Sequence, residues 1–231
     1  MSTEDFEYIK SNYLRLCEDI ESCSARVQRR VTLLPVTKSG TDEELIALCR
    51  LGICAIGENR PQELVRRGEL LRSLGFDIEL HEIGNLQKNK VRHIVPCVSL
   101  IHSLDSEGLA REIQKRAEAL DRYIPVLVEI NSAGEEGKSG VMPEQAVALA
   151  ASLSAYPRLL LSGVMTMGPV VSDAEEIRPY FTLARRIYEE IGEKYGYRGE
   201  GILSMGMSDS YRVAIEEGAT LVRVGSILFR K

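Results

Sequence analysis

The chain has 231 residues, 44% of them hydrophobic and 27% charged, with a formal net charge of −5. These values are those of an ordinary globular chain long enough to bury a sizeable core, and the acidic balance argues against a general nucleic-acid surface. The acidic, polar start MSTEDFEYIK is unlike a signal peptide and no apolar run reaches membrane-span length, so a cytoplasmic protein without membrane contact is expected.

The first element expected is a helix from about Thr3 to Arg30, with Phe6, Ile9, Tyr13, Leu16 and Ile20 on one face. Eight short apolar runs then read as strands, at 32–37, 54–57, 78–83, 98–104, 125–130, 159–165, 201–205 and 220–225. Helical segments separate them, several with caps at their starts: Thr41-Asp42 before Glu43, Asp105-Ser106 before Glu107, and Pro143 before Glu144. Eight strands with a helix between each pair predict an α/β fold of the (β/α)8 TIM-barrel type. It is expected to form a single domain over 1–231, with residues 1–30 as an extra N-terminal helix packed on the barrel. An open doubly wound sheet is the competing topology. It would usually carry a glycine-rich phosphate fingerprint after its first strand, where this chain has Lys38-Ser39-Gly40.

In a barrel of this kind the chemistry lies at the C-terminal ends of the strands. Those ends carry Lys38, Glu58-Asn59, Gly84-Asn85, His102–Asp105, Asn131, Met165–Gly168, Ser204–Ser208 and Gly225-Ser226. Strand seven runs into MGMS, Ser208-Asp209-Ser210 precedes a helix near Tyr211, and strand eight ends in Arg223-Val224-Gly225-Ser226. Helix N-terminal N–H groups and glycines that let backbone approach closely suit an anion, and barrels often place a phosphate between these two loops. Alternation along V-R-V leaves two directions open for Arg223: inside the barrel with a partner, or outside in solvent. Lys38 has the same ambiguity. Pointed into the mouth it would be a nucleophilic amine facing a phosphate, suited to a Schiff base with a phosphorylated aldehyde.

Other features carry less. The three histidines lack metal-ligand spacing and the five cysteines contain no C-x-x-C pair, so no metal site is expected and the thiols read as reduced. Gly137-Lys138-Ser139 imitates the end of a P-loop, but Ser132 stands where its first glycine should be, and the segment reads as a polar loop, a candidate lid. Lys88–His93 reads as the solvated face of a helix, with contact to RNA or another anion as a minority reading.

The sequence resembles the pyridoxal phosphate homeostasis protein family, which is related to the barrel domain of alanine racemase. The residues that carry the resemblance are PVTK at 35–38, GENRPQE at 57–63, HEIGNLQKNK at 81–90, HSLDS at 102–106, EEGKSG at 135–140, GVMTMGP at 163–169, LSMGMSDS at 203–210 and EEGATLVRVGS at 216–226. The resemblance implies a barrel binding pyridoxal 5′-phosphate (PLP), with Lys38 as the internal aldimine. It places Ser208, Gly225 and Ser226, with Ser204, around the phosphate, Arg223 at the pyridine nitrogen and Asn59 near the cofactor. The chain departs from the family pattern at Glu82, usually an aromatic, and after Phe229, where a glycine often follows.

The resemblance also implies a non-catalytic role, in which PLP is buffered or passed to PLP-dependent apoenzymes. An arginine at the ring nitrogen disfavours its protonation and so weakens the electron sink. The second base of the related racemases comes from a further domain that is not expected here. A monomeric cytoplasmic PLP carrier is therefore the leading expectation. A single-domain PLP-dependent amino-acid racemase and a cofactor-free Schiff-base aldolase are the alternatives.

Overall fold

A computed structural model describes residues 6–231. After helix α1 (Glu7–Arg26), strands and helices alternate: β1 (Thr32–Pro35), α2 (Asp42–Cys49), β2 (Ala55–Glu58), α3 (Pro61–Ser73), β3 (Glu79–Glu82), α4 (Lys88–Ile94), β4 (Leu100–Leu104) and α5 (Glu107–Ala119). The second half continues with β5 (Ile124–Ile130), α6 (Pro143–Ser152), β6 (Leu159–Thr166), α7 (Arg178–Tyr195), β7 (Ile202–Ser204), α8 (Tyr211–Glu216) and β8 (Leu221–Val224).

The eight strands are parallel and neighbour one another in sequence order, with β1 also paired to β8. A bridge between Val36 and Gly57 brings β1 against β2, so the sheet curls back on itself into a nearly closed barrel. The eight-strand expectation holds, and each observed strand overlaps its expected run, most of them shorter by a residue or two at the ends.

The expected caps form for physical reasons visible in the sequence. Thr41 and Glu44 make a reciprocal capping box at α2, Ser106 accepts from Leu109 N at α5, and Pro143 opens α6. The N-terminal helix stops at Arg26 rather than Arg30, because Gln28 adopts φ +50 and turns the chain out of the helix. Its expected start at Thr3 lies outside the described residues.

Helix α1 buries Ile9, Leu16 and Ile20, with Phe6 and Tyr13 half-buried beside them. It packs between α2 and α8, on the flank of the barrel next to β8 and β1. Tyr8 donates to Glu44 on α2, and Asp19 accepts from Tyr211 and Arg212 on α8. Asn12 donates to the carbonyls of Leu228 and Arg230, so α1 also holds the chain that follows β8.

Burial divides into two regions. The main core lies between the strands and the surrounding helices, while a small separate cluster of Leu100, Leu127 and Met165 lies inside the barrel with Ile202 packed on it. Leu34 and Leu221 extend the apolar interior, and the buried polar residues beside them form the site.

Candidate functional site

Strand β8 settles the direction that alternation left open. Val222 and Val224 pack into the outer core, while Leu221 and Arg223 face inward, and Arg223 is only 3% exposed. Its guanidinium donates to Ser204 O (2.9 Å), Ser204 Oγ (2.6 Å) and Thr166 O (3.0 Å). All three acceptors are neutral, so burial pulls the guanidinium down to about 10, with Glu129 opposing the shift from a distance. It is still a cation at neutral pH. Nε–H and one Nη2–H have no acceptor among the described residues.

Lys38 lies in the turn after Val36, exposed, with no ion-pair or hydrogen-bond partner among the described residues. The turn beneath it is fixed firmly. Thr37 N donates to Gly57 O, and Thr37 Oγ1 donates to Glu58 Oε1 at 3.0 Å. Arg67, reaching from α3, donates to the carbonyls of Thr37 and Gly40 and lies 3.3 Å from Glu58. Sequence reasoning placed Glu58 at the rim. The structure turns it away from the mouth and buries it against Arg67, where desolvation raises its carboxyl pKa and the guanidinium opposes the rise.

The loops after β7 and β8 supply the remaining candidates. Ser208 is half-buried and Ser226 exposed. Ser210 is the N-cap of α8, yet its side chain accepts from Met207 N rather than from the first turn of the helix. Gly206 needs its glycine, since at φ +91 a Cβ would lie 2.5 Å from Ala214 Cβ. Gly225 is constrained by close approach, because a Cβ there would lie 2.7 Å from the Val36 carbonyl oxygen. That contact brings β8 against the stem of the Lys38 turn. Ser204 stands apart from the other two serines: fully buried, it accepts from Arg223 and is 3.0 Å from His102 Nδ1.

All seven candidates therefore come from four neighbouring strands, and the turns that follow them, in the order β2, β1, β8, β7: Asn59 after β2, Lys38 after β1, Arg223 on β8 with Gly225 and Ser226 just after it, and Ser204 and Ser208 from β7 onward. Barrel closure is what joins positions 38 and 59 to 204–226. A fixed cation, an unpaired amine and two hydroxyl-bearing loops on one rim fit a small anionic carbonyl compound better than a metal. Among the described residues no group of three or more metal-type ligands occurs, and all five cysteines are free.

Two interior residues, His81 and Glu129, escaped the reading of the sequence as site components, and His102, read only as a strand-end residue at the rim, joins them inside the barrel. Each is buried at an inward-facing strand position, Glu129 as the lone polar residue of β5. For Glu129 and His102 the signal was present as a polar residue in phase with an interior apolar neighbour, Leu127 and Leu100 respectively, whereas His81 is in phase with Glu79 and gave no such signal. Glu129 is pushed up to about 7 by burial, with Asp105 adding to the rise and Arg223 opposing it.

The decoys resolve plainly. Lys138 pairs with Glu135 at 2.7 Å, and Ser139 accepts from Asn85, so Gly137-Lys138-Ser139 is a polar loop tied across to the segment after β3. Lys88, Asn89, Arg92 and His93 are exposed on α4, with Val91 and Ile94 beneath.

This nearly closed parallel barrel, with its lysine turn and its buried arginine at one rim, is of the class of the alanine racemase barrel domain. Residues 12–230 match the family described as alanine racemase, N-terminal domain. The chain belongs to that family and, within it, to the pyridoxal phosphate homeostasis proteins. It is 41% identical to the pyridoxal phosphate homeostasis protein of Aquifex aeolicus, over 93% of this chain and 94% of that one. Identity to the Helicobacter pylori protein of the same name is 36%, over 87% and 88% of the two chains. The structure of PipY from Synechococcus elongatus, solved with PLP bound, superposes with a TM-score of 0.78 at 31% identity, covering 90% of this chain and 97% of that one.

Proposed function

We propose that the protein binds PLP at the β2–β1–β8–β7 rim, holds it as a Schiff base on Lys38, and gives it up to acceptor amines without turning over a substrate. Relatives named for PLP homeostasis and a PLP-bound structural neighbour support the cofactor. Arg223 is the observation that carries the reading: a buried cation, hydrogen-bonded among the described residues only to neutral oxygens, with donors to spare. PLP supplies an electron sink whose strength depends on a protonated ring nitrogen. Arg223 can only donate, so at that nitrogen it orients the ring and keeps the proton off.

Lys38, on a turn locked by Thr37, Glu58 and Arg67, is the amine. Ser208, Gly225 and Ser226 take the phosphate, Asn59 borders the ring, and Ser204 acts through Arg223. One base and a weakened sink suit storage and delivery to PLP-dependent apoenzymes, by a monomer in the cytoplasm.

The test is the visible absorption of the purified protein after addition of PLP. A Schiff-base band that borohydride bleaches and Lys38→Ala abolishes is expected, with no solvent deuterium entering amino acids at Cα. A protein that PLP cannot colour would leave the cofactor-free aldolase reading, and Cα exchange would turn the assignment to a racemase.

A further inference from the structure

A line of hydrogen bonds runs from Arg223 through the barrel interior. Arg223 Nη1 lies 2.6 Å from Ser204 Oγ, Ser204 Oγ lies 3.0 Å from His102 Nδ1, and His102 Nε2 lies 3.1 Å from His81 Nδ1. His81 Nε2 then lies 3.5 Å from an oxygen of Glu79. His81 and Glu79 border a cleft of about 740 Å³ on the N-terminal side of the strands, opposite the rim that carries Lys38. The line thus crosses the barrel.

Its two ends, with the need of the buried Ser204 O–H for an acceptor, favour one direction. A guanidinium has donors and no acceptor, whereas a carboxylate has acceptors and no donor. Because Ser204 Oγ must accept from Arg223, its own O–H points to His102 Nδ1. His102 Nδ1 is then unprotonated, so a neutral ring carries its proton on Nε2 and donates it to His81 Nδ1. By the same logic the His81 proton sits on Nε2, toward Glu79. Full burial holds His102 neutral, well below its ordinary pKa, and His81 and Arg223 add to that effect. The opposite tautomer at His102 would fill both lone pairs of Ser204 Oγ with N–H donors and leave the buried Ser204 O–H without its His102 acceptor.

We propose that His102 and His81 are positioning residues for the rim site: as Nε2-protonated neutral rings they commit the Ser204 hydroxyl away from Arg223 and so lock the guanidinium in place. The inference rests on the reading of the rim as a PLP site with Arg223 at the ring nitrogen, and it deepens that reading. Among the described residues no carboxylate bonds to Arg223, so its orientation depends on three neutral acceptors, one of which is a rotatable hydroxyl. His102 removes that rotation. A change at His81, on the far side of the barrel, should therefore be felt at the cofactor ring.

The first test uses the unaltered protein labelled with 15N, before any PLP is added. Long-range imidazole spectra should show His81 and His102 as neutral Nε2–H tautomers, with exposed His93 assigned through His93→Gln. The Arg223 side-chain resonances should report slow rotation about the guanidinium. Nδ1 protonation at His102, or a freely rotating Arg223, would overturn the proposal, and neither result depends on PLP.

The second test compares phenylalanine and asparagine at each histidine. Asparagine places Oδ1 where Nδ1 was and can accept as Nδ1 does. His102→Phe and His81→Phe should still form the Schiff base on Lys38, but with a displaced absorption band and PLP release roughly tenfold faster, the scale of one lost hydrogen bond. His102→Asn and His81→Asn should return both readings toward wild type. A wild-type band and release rate in the phenylalanine variants would refute the relay while leaving the PLP reading intact. A wild-type protein that takes up no PLP would refute that reading, and the tautomers and the Arg223 rotation would then decide the relay alone.

Discussion

Ser226 and Gly225 sit side by side at the end of β8, yet they answer to different physics. Ser226 is exposed and makes no side-chain hydrogen bond within the described chain, so its hydroxyl contributes little to folding. Ser226→Ala should leave the melting temperature unchanged and weaken PLP retention about 5–10-fold, measured as release into an excess of apoenzyme. Gly225 is constrained by the Val36 carbonyl, with no room for a Cβ. Gly225→Ala should cost ~1–3 kcal/mol in denaturant unfolding and loosen PLP as well, because the added methyl pushes β8 off the Lys38 turn. Arg67 gives a third residue-scale expectation. Arg67→Met leaves Glu58 buried without its cation and two loop carbonyls without their donor. A loss of ~3 kcal/mol or more is expected, and the double variant Arg67→Met with Glu58→Gln should recover part of it.

At the scale of elements, α1 is the informative helix. It closes the helical ring between α8 and α2, where a helix after β8 would otherwise lie, and its Ile9, Leu16 and Ile20 belong to the same buried core as the strands. An appendage would melt separately, whereas an integral helix cannot. Leu16→Ala should lower stability by ~2–4 kcal/mol in one cooperative transition, seen alike by circular dichroism and tyrosine fluorescence. A separate early phase confined to helical signal would contradict that placement. The chain contains no tryptophan, so the nine tyrosines are the aromatic probe.

At the scale of the whole molecule, buried carboxyls set the pH response. Glu82 faces the helix layer in register with Glu58, and its Oε1 accepts from Gly84 N while Oε2 has no partner. Burial pushes it up to about 8 from an ordinary 4.5, and Glu129 moves in the same direction, to about 7. A native state that keeps protons the unfolded chain has released loses stability as pH rises. The contribution is fully present below pH 4.5 and is lost progressively up to about 8 for Glu82. Glu82→Gln, which holds a neutral group at all pH values, should match wild type near pH 4 and exceed it by about 3 kcal/mol at pH 8. Equal stability at both pH values in thermal melts would show that Glu82 is not the source.

Much of the architecture was legible in sequence order. Short β-branched runs, capping boxes and a lysine at a strand tip report on their own neighbourhoods, because propensity, alternation and capping act over a few residues. Motif resemblance added the cofactor and the inward direction of Arg223. The rest depended on closure. Glu58 at a strand end reads as a rim residue, and only the packing of α3 turns it toward Arg67. His81, His102 and Ser204 are separated by 21 and 102 positions, and nothing local to any of them announces a common hydrogen-bond line. Thus the amino-acid sequence by itself determined the eight-strand count, the lysine at the first strand's tip and the glycine- and serine-bearing loops after the last two strands. The tertiary structure alone decided which polar residues share the barrel interior, since that follows from strand register and from the cost of burying charge without partners.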